Sequence, residues 1–324
     1  MYRVWVMVLL VLTLWSCEKP EPVDNRHIIG FASHMSRAII ESADDLKQDS
    51  NGLKLYASYT MNEDLARLLD GEKLYFDNGI WQYDNTRYWV PGMLYHFCVI
   101  YPYSTPCSYN DNGEITIAYE GKTTSTDLLY ASSMRDLTSS EDYSAVPLQF
   151  DHACAALQFN IINASTSTIT GVRNVRLTGL YNKGTFFFNS LGTAKWTIDE
   201  NSRLTSTTDN TYGGTCTLPN GGLPVNVSTK HSLYDNGAIL VVPQDIYKSS
   251  VALSLEYTTS SNPNAPNANW VTPPSNPIEL GKLGGSTPTE WRAGKRYNYN
   301  LTLTDKYITA EVKVVDWVDH YVDL

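Results

Sequence analysis

The sequence predicts an all-β protein built from two tandem antiparallel β-sandwich domains. Apolar and polar residues alternate along many short segments, which is the pattern of strands with one buried face and one solvated face. The alternation is clearest in Val251–Tyr257, Tyr297–Leu303 and Ile308–Val314. Turn residues separate such segments, and many short strands joined by turns are typical of antiparallel sandwiches.

The N-terminus has the features of an export signal that ends at a cysteine. Arg3 precedes an apolar run over Val4–Leu14, and Ser16 places a small residue directly before Cys17. The run is shorter than the about 20 residues that cross a bilayer, but it matches the core of a signal peptide. We predict a signal peptide over residues 1–16 and a diacylglyceryl lipid on the thiol of Cys17. The alternative is an ordinary secretory signal followed by a chance cysteine.

The rest of the chain is long enough for two domains. Residues 17–27 are polar and interrupted by proline, so they are predicted to be a lipidated tether. About 300 residues follow, which exceeds one comfortable hydrophobic core. A Ser/Thr-rich segment at residues 163–168 lies between two apolar runs. We therefore predict an N-terminal sandwich over residues 28–167 and a C-terminal sandwich over residues 168–324.

Further strands are predicted where short apolar runs lie between turn residues. These runs are Leu53–Tyr59, Arg87–Val90, Leu94–Tyr101, Glu114–Tyr119, Ala155–Ile162, Val172–Leu180, Gly184–Asn189 and Ala238–Val242. One short helix is predicted within Met61–Asp70, because four of its apolar residues fall on one helical face.

Three Asp-Asn-Gly triplets lie beside apolar runs, at Asp77–Gly79, Asp111–Gly113 and Asp235–Gly237. A calcium loop would need oxygen ligands at alternate positions, which none of them has. They are predicted to be hairpin turns, with Asn and Gly at positive φ. Thr258–Pro277 is rich in Asn and Pro and is predicted to be a long exposed loop without strand pairing. Such a loop either carries a ligand site or is a variable surface segment.

No catalytic or metal-binding motif accompanies these strands. The six histidines are scattered and are interpreted as structural, and the cysteines form no C-x-x-C pair. The sequence therefore predicts no enzyme, no metal and no cofactor apart from the lipid on Cys17. The net charge of −10 argues against nucleic acid as a partner. Whether Cys98 and Cys107 form a disulfide is left open.

The chain contains 22 Tyr and 8 Trp, many of them between Trp81 and Tyr103. Most of these rings are predicted to pack in a sandwich core. The alternative is a sugar-binding platform on a surface glycan-binding lipoprotein of the outer membrane. That alternative predicts at least three exposed, coplanar aromatic rings on one face.

The order of several short motifs resembles the fimbrillin-like family of Bacteroidetes, which comprises lipoprotein pilins and accessory proteins of type V pili. After the lipobox, the matching motifs are Ile29-Gly30-Phe31, Ser36-Arg37-Ala38, Trp81-x-Tyr83, Tyr88-Trp89-x-Pro91, Phe97-x-x-x-Tyr101-Pro102, Asp127-Leu128-Leu129-Tyr130-Ala131, Val146-x-Leu148-x-Phe150-x-His152, Val242-Pro243-Gln244 and Trp291-x-x-Gly294-x-x-Tyr297-x-Tyr299. The resemblance covers nearly the whole chain.

This resemblance implies two transthyretin-like sandwiches on a lipoprotein at the outer face of the outer membrane. It also implies cleavage after an arginine near the N-terminus, which would remove a first strand and let a strand of another subunit take its place. Arg37 is the best match, after a short strand expected over Ile28–Ala32, and Arg26 is the competitor. The alternative is that Arg37 is an ordinary surface charge.

The expected donor strand is the alternating segment with Ile308, Ala310, Val312 and Val314, although this segment could instead complete the chain's own second sheet. The implied partners are other fimbrial subunits, the outer membrane through the lipid, and a host glycan or protein. A shaft, an anchor and a tip subunit all remain open.

Overall fold

The computed structural model describes residues 26–34, 47, 50–61, 64–206, 208–274, 276–284 and 287–317. These residues form β-strands and two single-turn 3-10 helices, Glu200–Ser202 and Leu280–Lys282. The predicted all-β class is confirmed.

The strands before residue 165 are β1 (Phe31–His34), β2 (Leu53–Met61), β3 (Asp64–Asp77), β4 (Ile80–Gln82), β5 (Leu94–Tyr101), β6 (Ser108–Tyr109), β7 (Glu114–Glu120), β8 (Leu129–Asp136), β9 (Val146–His152) and β10 (Ala155–Asn163). The later strands are β11 (Gly171–Thr178), β12 (Lys183–Asn189), β13 (Ala194–Ile198), β14 (Gly213–Gly214), β15 (Lys230–Ser232), β16 (Ile239–Val241), β17 (Gln244–Asp245), β18 (Ala252–Thr258), β19 (Trp270–Val271), β20 (Ile278–Glu279), β21 (Glu290–Trp291), β22 (Lys295–Leu303) and β23 (Ile308–Asp316).

The first seven-stranded sheet, here called the N-terminal sheet, has the order β1-β9-β8-β5-β2-β3-β4. Its two faces belong to different hydrophobic clusters, because successive side chains of a strand point in opposite directions. Leu55 and Phe97 lie in one cluster, with the buried rings of Trp81 and Trp89. Tyr56 and its neighbours on the other face lie in a second cluster.

A four-stranded sheet, here called the cover sheet, packs on that second face. Its order is β13-β12-β7-β6, and all its pairs are antiparallel. Ile115 and Ile117 of β7 and Phe186 and Phe188 of β12 are buried in the cluster that contains Tyr56. The N-terminal sheet is therefore covered by strands from two distant parts of the chain.

The remaining strands form a second pair of sheets around the third cluster. One sheet has the order β15-β10-β22-β23, with β16 also paired to β10, and the other has the order β14-β11-β18-β19, with β20 also paired to β18. The rings of Phe159 and Tyr299 stack between β10 and β22, with centroids 5.0 Å apart. β17 and β21 form a separate two-stranded ladder. Most pairs are antiparallel, but β1 with β9 and β10 with β22 are parallel.

Sheet membership does not follow the chain in two simple halves. β10 precedes residue 167 but pairs with β22, and β12 follows residue 167 but pairs with β7. Two residues separate β9 of the N-terminal sheet from β10 of the second pair of sheets. The division of the chain after residue 167 into two sandwiches stays a prediction.

The prediction of a helix within Met61–Asp70 is wrong. Asp64–Asp77 is the long strand β3, which pairs antiparallel with β2 from Thr60↔Leu65 to Leu53↔Leu74. The helical spacing of a few leucines fits a strand equally well here, because two irregularities in the register shift which residues face the core. Pairing with a neighbouring strand outweighs the weak local preference for a helix. The strand predicted over Arg87–Val90 is a single bridge, Ile28 with Tyr88.

One of the three Asp-Asn-Gly turns behaves fully as predicted, and a second is a hairpin turn in which Gly113 has a φ of 74° but Asn112 does not have a positive φ. Asp77–Gly79 joins β3 to β4, with Asn78 at φ 50° and Gly79 at φ 85°, and Asp111–Gly113 lies between β6 and β7. Asp235–Gly237 is not a hairpin turn, because the strands on either side of it, β15 and β16, pair with opposite ends of β10 rather than with each other. The third triplet is therefore a turn between two strands that share one partner.

The prediction that Thr258–Pro277 forms no strand pairing is wrong. Trp270–Val271 returns to pair with Tyr257 and Thr258, which closes the segment into a hairpin with a long exposed loop. The predicted loop is correct for residues 259–269, and the returning strand was missed because it is only two residues long.

The four cysteines of the described residues are free thiols. Cys98 and Cys154 are buried, whereas Cys107 is half-buried, with its sulfur 3.1 Å from the hydroxyl of Tyr56. Burial raises the pKa of the Cys98 thiol to about 12, and it raises the pKa of the Cys154 thiol as well.

A thiol reagent should therefore distinguish these cysteines at pH 8 in the protein without residues 1–17. We expect Cys107 to react first, while Cys98 and Cys154 react only on unfolding, because a buried thiol with a raised pKa forms little thiolate. Dithionitrobenzoate titration with peptide mapping measures the order. Cys107→Ser should remove the fast phase, and a requirement for prior reduction would instead indicate a disulfide.

Candidate strand-exchange site

The N-terminal residues of the described chain form the site predicted for strand exchange. β1 lies at the edge of the N-terminal sheet and pairs parallel with β9, from Phe31↔Val146 to His34↔Gln149. Cys17 and Arg37, the predicted lipidation and cleavage residues, lie outside the described residues. Sequence reasoning placed this strand over Ile28–Ala32, and the structure places it slightly later.

Backbone hydrogen bonds hold this segment on both sides. Toward β9, the amide of Val146 donates to the carbonyl of Gly30 at 2.8 Å. On the other side, the amide of Ile29 donates to Arg87 and the amide of Trp89 donates to His27, both at 2.9 Å. The segment therefore lies between β9 and the chain that follows β4, and it pairs with both.

Two side chains of this segment are buried in the core of the N-terminal sheet. Ile29 is 0% exposed and Phe31 is 6% exposed, whereas Ile28 is 57% exposed. The ring of Phe31 meets Phe97 and Tyr83 edge to face, with centroids 5.6 Å and 5.8 Å apart. Burying an apolar side chain of this size is worth about 1.5–3 kcal/mol. The segment of residues 27–34, here called the plug, thus fills part of the core as well as pairing with the sheet.

Tyr83 ties the plug to the sheet with a side-chain hydrogen bond. Its hydroxyl donates to the carbonyl of Ile29 at 3.0 Å, and it accepts the amide of Arg87 at 3.2 Å. Burial raises the pKa of Tyr83, so the hydroxyl keeps its proton and remains a donor. Sequence reasoning placed Tyr83 in an aromatic cluster but did not connect it with the N-terminal strand, since only the fold brings the two together.

Without this segment, the sheet would have unpaired backbone groups beside an apolar groove. The edge of β9 would lose its partner, and Tyr83 and Phe97 would lose the side chain that they contact. An exposed sheet edge of this kind is a template for a strand from another chain.

The predicted donor residues lie on β23, which pairs antiparallel with β22 along its whole length, from Leu303↔Ile308 to Lys295↔Asp316. Ile308 is buried and Ala310 and Val312 are half-buried against the third hydrophobic cluster, which contains Phe159 and Tyr299, whereas Val314 is 44% exposed. β23 is also the last strand of its sheet in the order β15-β10-β22-β23. The segment thus completes the chain's own second sheet, which was the second interpretation of the sequence, and it lies at an edge.

A buried polar cluster holds the end of β23 against the N-terminal half. Nδ1 of His152 pairs with Oδ2 of Asp127 at 2.9 Å, and both side chains are fully buried. The indole of Trp317 stacks on the His152 ring, with centroids 3.8 Å apart and an angle of 4° between the planes. Two of these residues belong to the motifs quoted for the family resemblance, but only the fold shows that they meet Trp317.

The histidines expected to be structural include a second example, His96. Its Nδ1 lies 2.9 Å from the hydroxyl of Ser190 and its Nε2 lies 3.2 Å from that of Thr60. Burial lowers the pKa of His96, which keeps the ring neutral. Both histidines thus make hydrogen bonds inside the fold, His96 with two hydroxyl groups and His152 with a carboxylate.

The aromatic residues between Trp81 and Tyr103 mostly belong to the core. Trp81, Tyr83, Trp89, Tyr95, Phe97 and Tyr101 are all buried. In the part of the chain that the structure describes, the large aromatic residues classed as exposed are Tyr247 and Tyr307, which is fewer than a platform of three rings requires.

The described residues contain neither a metal-binding cluster nor a membrane-spanning helix. No group of three or more His, Cys, Asp or Glu side chains is placed to hold a metal ion. No helix in the described ranges has the length and apolar character needed to cross a membrane.

Comparison with protein families identifies the class of protein that carries this site. Residues 37–317 match the family model described as fimbrillin-like, and the chain therefore belongs to the fimbrillin-like family. Members of this family are structural proteins, so the chain is not an enzyme. The match begins at Arg37 and leaves out β1. A comparison with curated proteins finds no match.

Solved structures share the fold across nearly the whole chain. A fimbrial protein from Bacteroides vulgatus is 18% identical with a TM-score of 0.65, covering 91% of this chain and 100% of that one. A candidate cell adhesion protein from Bacteroides uniformis is 17% identical with a TM-score of 0.52, covering 92% and 100%. A third, from Bacteroides ovatus and described in the same way, is 15% identical with a TM-score of 0.50, covering 91% and 99%. At these identities the comparison shows the fold alone.

Replacing the buried residues of the plug should destabilise the precursor. We expect Ile29→Ala to lower the free energy of unfolding by about 2–5 kcal/mol and Phe31→Ala by about 3–5 kcal/mol, because each leaves a cavity in the core of the N-terminal sheet. Urea unfolding of the protein without residues 1–17 measures both.

Ile28→Ala is the matched control, since its side chain is exposed and its loss should change the free energy by about 0.5 kcal/mol or less. Equal effects of Ile28→Ala and Ile29→Ala would contradict the assignment of Ile29 to the core.

Proposed function

We propose that this protein is a structural or adhesive subunit of cell-surface fimbriae that is exported as a lipoprotein. Cys17 carries the lipid and holds the precursor at the outer membrane. Proteolytic removal of the N-terminal strand then opens the edge of β9, and a strand from a neighbouring subunit occupies it. Membership of the fimbrillin-like family supports the fimbrial role, and the position of β1 supports the strand exchange.

The burial of Ile29 and Phe31 is the observation that carries this proposal. A strand held by backbone pairing and by two buried side chains blocks the groove while it is present. An incoming strand with alternating apolar residues would restore both the hydrogen bonds and the burial. The precursor is therefore protected from early assembly by its own first strand.

The position of the cut decides whether the groove opens. Arg37 lies three residues beyond the end of β1, so cleavage after it separates the whole plug from the rest of the chain. Arg26 precedes both Ile29 and Phe31, and cleavage there would leave the plug in place. This difference favours Arg37 over Arg26 as the processing site.

The donor in this proposal is the segment with Ile308, Ala310, Val312 and Val314. A donor on one end of the subunit and an acceptor on the other give head-to-tail contacts that do not close on themselves, and such contacts grow a filament. Because β23 is paired with β22 in the monomer, donation requires that β23 leave its own sheet. The alternative function, a glycan-binding lipoprotein with an aromatic platform, has no such observation in its favour.

Limited digestion of the protein without residues 1–17 by a trypsin-like protease tests the trigger. We expect a cut after Arg37, loss of the plug, and growth into SDS-resistant oligomers, since the edge of β9 and its groove become available together. Mass spectrometry gives the cut site, and light scattering and unheated SDS gels give the particle size.

Arg37→Ala should stay monomeric under the same digestion, whereas Arg26→Ala should assemble like the parent protein. A product that is cut after Arg37, loses residues 18–37 and still remains monomeric would overturn the assembly step. It would direct attention to an anchor or tip role.

Locking β23 to β22 tests the donor. Thr302 and Thr309 face each other in the register, so Thr302→Cys with Thr309→Cys can place a disulfide across the two strands. If β23 is donated, the oxidised double variant should not form oligomers after cleavage, and reduction should restore them.

The two single variants, under the same oxidising conditions, are the controls. Unchanged assembly of a double variant whose disulfide is confirmed by mass spectrometry would exclude β23 as the donor.

A further inference from the structure

A cleft of about 830 Å³ lies on the second pair of sheets, beside the loop of residues 259–269. Its lining residues come from β11, the loop and β19. They are Val172, Arg173, Pro263, Asn264, Ala265, Pro266, Ala268, Asn269 and Trp270. The volume falls within the range of about 300–1,000 Å³ that is usual for ligand clefts.

One wall of the cleft depends on Gly171, because the absence of a side chain there leaves room for Trp270 and Pro263. A Cβ atom on Gly171 would lie 2.9 Å from the Trp270 ring and 3.0 Å from Pro263. The indole and the proline therefore pack directly on the backbone of β11. This contact fixes the returning strand β19 and the start of the loop against one sheet.

A β-bulge positions the charged group of the cleft. The register of β11 with β18 shifts between Arg173 and Arg176, and Asn174 takes a φ of 53°. Nε of Arg173 donates to Glu256 at 2.7 Å, and Nδ2 of Asn174 donates to the same carboxylate oxygen at 3.0 Å. The guanidinium also lies 4.1 Å from the centroid of the Trp270 ring. Bulges commonly re-aim side chains in this way near functional sites.

Hydrogen bonds to backbone groups hold the loop in place, and they leave the side-chain amides of Asn264 and Asn269 available for a ligand. Thr258 Oγ1 donates to the backbone carbonyl of Asn269 at 2.7 Å, and the backbone amide of Asn269 donates to Ser260 Oγ at 3.0 Å. The backbone amide of Asn264 donates to Asn262 Oδ1 at 3.1 Å. Within the described part of the chain, the side-chain amides of Asn264 and Asn269 have no hydrogen bond of their own. Each can donate and accept.

We propose that this cleft binds an uncharged saccharide. Two carboxamides and the terminal nitrogens of a fixed guanidinium offer donors and acceptors to neighbouring hydroxyl groups. The part of the half-buried indole that Gly171 and Arg173 leave uncovered offers apolar surface to the C–H groups of a sugar ring. The chemistry is that of a polar cleft with one aromatic wall, and it differs from the flat platform of three rings considered above.

The charges around the cleft favour a neutral ligand over an anion. Glu256 neutralises Arg173, the only charged residue that lines the cleft in the described structure. The net charge of −10 adds no long-range attraction for an anion. An extended peptide would instead pair with an unpaired strand edge such as that of β19, the last strand of its sheet, and peptides are therefore among the comparison ligands below.

This inference does not depend on strand exchange. The cleft is lined by β11, β19 and the loop of residues 259–269, whereas the plug lies on the N-terminal sheet, so either proposal can fail without the other. A saccharide site on a fimbrial subunit would supply an adhesive contact.

Saturation-transfer NMR on the uncleaved protein without residues 1–17 tests the proposal. The probes are the neutral disaccharides lactose, cellobiose, mannobiose and diacetylchitobiose, with sialyllactose, digalacturonic acid and a pool of random octapeptides as comparison ligands. We expect at least one neutral disaccharide to bind, and titration calorimetry then gives its Kd. No binding of any of the four, or binding confined to the charged sugars or the peptides, would overturn the proposal.

Variants of the cleft then locate the site. Asn264→Ala and Asn269→Ala should each weaken binding about 3-fold to 10-fold, since each removes one hydrogen-bonding group. Asn267→Ala is the matched control, because Asn267 is an exposed asparagine of the same loop that does not line the cleft. Gly171→Ala should also weaken binding by displacing Trp270, with thermal unfolding as the check that the protein is folded. Equal affinity of the Asn264, Asn267 and Asn269 variants would overturn the assignment.

Discussion

The outer edge of β9 needs a backbone partner, and the proposed strand exchange rests on how that need is met. In the precursor the partner is β1, which also places Ile29 and Phe31 in the core of the N-terminal sheet. A partner that comes from the end of the chain can be separated from the domain by a single cut. The same contacts that stabilise the precursor are therefore the ones whose loss would create an adhesive edge.

The two halves of the molecule are joined by shared sheets and by buried side-chain contacts. β9 and β10 belong to different sheets but are only two residues apart, and the cover sheet combines β7 with β12. His152 at the end of β9 stacks on Trp317 just after β23. β9 and the proposed donor strand thus meet at one buried contact.

The strands with strong alternation were predicted almost to the residue. Leu94–Tyr101 coincides with β5, and β22 and β23 differ from their predicted segments by two residues or fewer at each end. The errors fall where local signals are weak. β3 carries a helical spacing that only its pairing with β2 overrides, and β19 is too short to leave a pattern. The turn at Asp235–Gly237 has the residues of a hairpin, but its flanking strands are drawn to β10.

By itself, the sequence determined the all-β class, the position of most strands and the resemblance to fimbrillin-like proteins, because alternation, turn residues and motif order are local properties of the chain. Tertiary structure alone decided that Phe31 meets Tyr83 and Phe97, that β12 covers the N-terminal sheet, and that Trp270 packs on Gly171 beside Arg173. The physical reason is that these contacts join residues far apart in the chain, so they depend on sheet order and register, which no local pattern encodes.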